Sequence, residues 1–91
     1  TDDIDIIAVS LGSNLKFHTV GTEAARFDSS GRFLHGTTDS NPADNSAGST
    51  ADNGVVLNSG AIVAAKYNDR ALYLNRTGSD GSIIELENLA Q

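Results

Sequence analysis

Between Phe27 and Phe33 the chain must reverse its direction within a few residues. The intervening Asp28-Ser29-Ser30-Gly31 is turn chemistry: Asp and Ser side chains bond to nearby backbone groups, and Gly accepts a positive φ. Glu23 to Phe27 leads in and Arg32 to Gly36 leads out, with Phe33 and His35 on one face and Leu34 on the other. Short β-favouring runs around a Gly-ended turn predict a hairpin, here with a loop longer than the two-residue ideal. Ala24-Ala25 would tolerate a helix, but five residues between turns are too few to hold one.

The same alternation of short run and turn extends in both directions. Asp5 to Ser10 is a β-branched run that predicts a strand buried on both faces. Gly12-Ser13-Asn14 turns the chain into Leu15 to Val20, where Leu15, Phe17 and Thr19 oppose Lys16, His18 and Val20, and Gly21-Thr22 turns it into Glu23 to Phe27. Beyond residue 53 come Val55 to Asn58, the turn Ser59-Gly60, and Ala61 to Tyr67, whose Ile62, Val63 and paired Ala64-Ala65 suggest a tight interior. Asn68-Asp69 turns into Ala71 to Arg76, and the cluster from Thr77 to Gly81 leads to a last run, Ser82 to Glu87. Seven or eight short strands and no helical period predict an all-β fold. Three segments are expected: a first β unit over residues 1–36, a polar loop or linker over 37–53, and a second β unit over 54–91. The middle segment is long for a loop and has Ala as its one aliphatic type, so it is expected to lie outside any core.

Composition narrows the function classes. With 91 residues, three Phe, two Tyr and no Trp, the chain is thinly supplied with the side chains that bury most area. A repeated or oligomeric architecture, in which neighbours complete one another's core, fits that scarcity. A net charge of −6 with dispersed acids argues against a nucleic-acid partner. No apolar run reaches the ~20 residues of a membrane span, so membrane insertion is not expected. Cysteine is absent, which removes disulfides and thiolate chemistry. Without an initial Met, a processed product or an excerpt of a longer polypeptide is expected, and the strand-like run from Ile4 favours the excerpt.

No catalytic pattern emerges. His18 and His35 stand alone, without a His-x-His or HExxH spacing. Glu85 with Glu87, or Asp28 with Asp39, are the carboxylate pairs that glycoside hydrolysis would require, and no cleft-forming pattern accompanies them. Asp39 to Thr50 has the length of a calcium loop, but Pro42 interrupts it, Asp44 stands where Gly is needed, and Thr50 where a bidentate Glu is needed. The chain is read as a non-enzyme with no cofactor, no metal site and no catalytic residue.

Two segments carry a resemblance. Phe27-Asp28-Ser29-Ser30-Gly31-Arg32-Phe33-Leu34-His35-Gly36-Thr37-Thr38, with Leu15 to Thr19 and Glu23-x-x-Arg26 before it, resembles a segment common in tailed-bacteriophage tail-fibre and related virion proteins. Ala71-Leu72-Tyr73-Leu74-Asn75-Arg76-Thr77-Gly78-Ser79-Asp80-Gly81 is similar to a Leu-Asn-Arg-x-x-Ser-Asp-Gly segment that follows in many such fibres. The two cover about half the chain, in the order those fibres show. Phe27 stands where an aliphatic residue is usual, and His35 where an apolar one is common, so a larger, partly polar interior is expected at that level. The resemblance implies an intertwined or stacked trimeric β fibre segment in a virion. Its partners would be two further copies of itself, other tail or baseplate proteins, and, through the parent fibre, a bacterial surface receptor or glycan. Alternatives are that the segment is itself a glycan-binding adhesive module, with Tyr67 and Tyr73 as candidate receptor contacts, or that it belongs to a polysaccharide depolymerase.

Overall fold

The computed structural model describes residues 3–88. Five strands form one antiparallel sheet in which every strand lies beside its sequence neighbour. They are β1 (Leu15–Thr19), β2 (Thr22–Phe27), β3 (Phe33–His35), β4 (Gly54–Asn58) and β5 (Ala61–Ala65). The fold is all-β; its only helical elements among the described residues are two single 3₁₀ turns, Pro42–Asp44 and Thr50–Asp52.

Three hairpin turns set this order, each from local chemistry. Asp28 and Arg32 close the β2–β3 loop, with the Asp28 amide donating to the Arg32 carbonyl at 2.9 Å and Gly31 at φ 81°. That is the three-residue loop with a left-handed Gly expected of Ser-Ser-Gly. The Asp28 carboxylate accepts from the Ser30 amide at 3.0 Å, the Arg32 amide at 2.9 Å and the Arg32 Nε at 2.7 Å. Partial burial pushes this carboxyl up, but the Arg32 side chain and the two amides outweigh it and hold it below the ordinary aspartate value. The β1–β2 and β4–β5 turns each use two left-handed residues, Val20-Gly21 and Ser59-Gly60, as two-residue hairpins require.

β1 and β2 are not in simple register. Phe17 faces Ala25 and His18 faces Glu23, so Ala24 is an extra residue on β2. Residues three apart on a strand normally point to opposite faces. The bulge brings Glu23 and Arg26 to the same face, where they pair in a two-pronged ion pair at 2.5 and 2.7 Å.

The long polar segment is the main departure from expectation. β3 pairs with β4 across it, in the register Phe33–Leu57, Leu34–Val56 and His35–Val55, so strands from both expected units share one sheet. Residues 37–53 fold back over one sheet face and place Pro42 against β4 and β5. Pro42, Leu34 and Val56 are the largest fully buried side chains among the described residues. A segment expected to stay outside any core thus supplies one of the core's side chains, because its return path sets Pro42 against β4 and β5. The segment is tied together internally. Asp52 accepts from the Ala47 and Gly48 amides at 2.7 Å each, and Asn41 Nδ2 donates to Asp44 at 2.7 Å.

Three expected strands do not form. Residues 5–10, 71–76 and 82–87 lie outside the ladders of the single chain. Ile6, Ile7 and Val9 are exposed rather than buried on both faces, and so are Leu72, Leu74, Ile83 and Ile84. These runs have strand composition but find no paired edge within their own chain. Ile62, expected in a tight interior, is also exposed.

Two outcomes follow from the turns. Val20 is a β-branched residue at φ 50° and exposed, a strained position. Val20→Asn should raise stability by about 1 kcal/mol, read from thermal unfolding at fixed chain concentration. A carboxyl whose folded pKa is depressed stabilises the fold above its unfolded pKa, and that contribution is lost as pH falls through the folded value. Stability should therefore drop as pH is lowered from about 5 to 2. Asp28→Asn should be less stable at pH 7 and lose less over that window, as measured by denaturant titration at each pH.

Candidate interaction surface

The register aligns residues into rows that cross the sheet, since directly paired residues project to the same face. On the face covered by residues 37–53, one row runs Lys16, Arg26, Leu34, Val56, Val63. Leu34 and Val56 are 1% and 0% exposed, and the Arg26–Glu23 pair closes the β1 end of that face.

On the other face the pairing aligns Leu15, Phe27, Phe33, Leu57 and Ile62, one from each strand. This is an unbroken apolar row across the full width of the sheet. A second row beside it runs Phe17, Ala25, His35, Val55, Ala64. The Phe27 and Phe33 rings lie 5.0 Å apart, tilted by 52°, within the favourable range for aromatic pairs. Ala25 is buried and Leu15 and Phe33 are half-buried, and Arg70 and Tyr73 flank the second row at His35 and Val55, but the remaining large side chains stay open. Phe27 is 44% exposed, Leu57 45% and Ile62 78%, with Phe17 and Val55 also exposed. Phe27 and His35, the two departures from the usual fibre pattern, both lie on this open face. They form no partly polar interior within one chain.

The extent of the uncovered surface can be gauged. The chain exposes 7527 Å², whereas a compact monomer of this mass exposes about 5,000 Å². Its radius of gyration is 16.9 Å, against about 12 Å for a compact domain of this length. The excess is shared between the open rows and the unpaired runs at 5–10, 71–76 and 82–87, and it exceeds the roughly 800 Å² per partner that a standard protein–protein interface removes from water.

The structure separates the other candidates. His18 pairs with Glu23 across the bulge and belongs to the loop-covered face, while His35 lies on the open one, so they are not brought together. The Asp28 carboxylate is committed to its turn, and Asp39 sits exposed in the covering loop. Glu85 and Glu87 are exposed, outside any strand. No group of three His, Cys, Asp or Glu among the described residues is arranged to hold a metal ion.

Tyr73 lines a shallow groove of about 400 Å³ at the β4–β5 end of the sheet, together with His35, Val55, Lys66 and Arg70. The Arg70 guanidinium lies 4.5 Å from the Tyr73 ring centroid, and the Tyr73 hydroxyl donates to Asp69 at 3.0 Å. One face of that ring is therefore occupied. Tyr67 is exposed but does not line the groove; its amide donates to Asn53 Oδ1 at 2.6 Å.

The cross-strand row was not apparent from the sequence. Its signal lies in the registers, which depend on the bulge and on the β3–β4 pairing. Comparison with family models, with curated protein sequences and with solved structures found no match. No helix among the described residues is long and apolar enough to cross a membrane.

Proposed function

We propose that this chain is a structural segment of a bacteriophage tail fibre or spike, assembled as a homotrimer in the virion and supporting host-cell attachment. The observation that carries the reading is the open row Leu15, Phe27, Phe33, Leu57, Ile62. An apolar stripe of that width is a normal feature of a subunit and an unusual one of a monomer. The two fibre-like segments supply the virion context, and the surface excess is large enough for the two interfaces per chain that a threefold assembly has. On this reading the chain works by holding copies together and passing mechanical load, with attachment to other tail or baseplate proteins and to the bacterial surface made by the parent fibre.

The adhesive alternative has a narrower footing. It rests on the Tyr73 groove, whose aromatic face is shared with Arg70. The depolymerase alternative gains nothing, because Asp28 is bound in its turn and Glu85 and Glu87 are not enclosed.

Native mass spectrometry should give three times the denatured chain mass. A single species at one chain mass would overturn the trimer. Leu57→Lys places a charge in the centre of the row without disturbing Leu34, Val56 or Pro42. Circular dichroism should therefore be unchanged, while association weakens about 10-fold or more, as expected from losing ~1.5–3 kcal/mol of leucine burial per interface. Sedimentation over a concentration series measures this.

A further inference from the structure

We infer that the arm over residues 3–11 adds as an antiparallel strand to the free edge of β5 in a neighbouring copy of this chain. The inference rests on the self-association proposed above and specifies how the copies join. The arm reads Asp3-Ile4-Asp5-Ile6-Ile7-Ala8-Val9-Ser10-Leu11, and Ile4, Ile6, Ile7, Val9 and Leu11 are all exposed. A β-branched run of this kind satisfies its backbone and buries its side chains only by pairing. Its own chain gives it no ladder, even though a turn at Ser10–Ser13, with the Ser13 amide on the Ser10 carbonyl at 2.9 Å, leads from it towards β1. Ile6 and Ala8 instead stand across a gap of about 560 Å³ from Leu15 and Phe27.

The sheet ends in two edges, and they differ. The β1 edge carries Lys16 and His18 and is bent by the bulge opposite it, features that block strand addition. The β5 edge is Ala61-Ile62-Val63-Ala64-Ala65, continuous in register and without charge, proline or bulge. Such an edge is a template for another strand.

Charge selects the direction, and apolar pairing the register. The arm is acidic at its start, and β5 runs out into Lys66 and Arg70. Antiparallel addition with Ile6 opposite Val63 brings the acidic start of the arm to the Lys66 end of β5 and sets Ile7 opposite Ile62. Ile7 then extends the open apolar row by one residue, and Ile6 extends the covered row beyond Val63. The contact runs from the arm of one copy to the β5 edge of the next, a head-to-tail arrangement that closes into a ring when the rotation is threefold.

The chain has no cysteine, so Ile6→Cys combined with Val63→Cys introduces one defined pair. After oxidation, the double variant should migrate on a denaturing gel as linked chains up to the trimer, collapsing on reduction, with neither single variant forming the trimer. A disulfide confined within one chain would overturn the inference. So would the absence of a disulfide while the native mass remains trimeric; the copies would then join through another surface, and the proposed function would stand. A single-chain native mass would overturn both. Hydrogen exchange on the unsubstituted assembly covers the case of a misfolded variant. Amides of residues 4–8 should be as protected as those of β4, and free exchange there would overturn the strand addition.

Discussion

A five-stranded meander has two faces, and the described residues of this chain cover one of them far more fully than the other. Strand pairing fixes which side chains share a face, so the register through β1 to β5 sorts the apolar residues into two sets. Leu34 and Val56 fall on the side where residues 37–53 return, and with Pro42 they are the largest fully buried side chains described. Leu15, Phe27, Phe33, Leu57 and Ile62 fall on the other. The distribution of exposed surface, the extended dimensions and the case for a subunit all derive from that division.

The covered face depends on a chain of local devices. The Asp28–Arg32 turn places Phe27 and Phe33 beside each other, and it makes Arg26 and Leu34 neighbours on the opposite side. The bulge at Ala24 then turns Glu23 towards Arg26. A charged residue next to the small core is neutralised by its own strand. The covering segment is held by local hydrogen bonds, from Asn41 to the Asp44 carboxylate, from the Ala47 amide to the Asp52 carboxylate and from Asn45 Nδ2 to the Asp52 carbonyl, which let a polar sequence adopt a defined path without a core of its own. Burying one proline requires that path and little else.

The turns were legible in the sequence because their determinants are contiguous. Ser-Ser-Gly after Asp28, Gly21 and Ser59-Gly60 each encode a reversal within a few residues, and β2, β3, β4 and β5 follow with small shifts at their ends. The runs at 5–10, 71–76 and 82–87 were equally strand-like, but a strand also needs an edge to pair with, and composition is silent on that. The polar composition of residues 37–53 concealed the one ring that matters. The bulge, and with it the Glu23–Arg26 pair, leaves no mark in alternation, since it is a mismatch between two strands and belongs to neither. The open row was hidden for the same reason: its members are spread from residue 15 to residue 62 and meet only through four registers.

The order β1-β2-β3-β4-β5 has a kinetic consequence. Each strand pairs with its sequence neighbour, and the widest gap to be closed is the loop between β3 and β4. Such local topologies form quickly and without help from other molecules. Joining copies is second order and slows with dilution. On the proposed assembly, a completed sheet would wait with its apolar side bare until other copies arrived, and chain supply would set the pace of maturation.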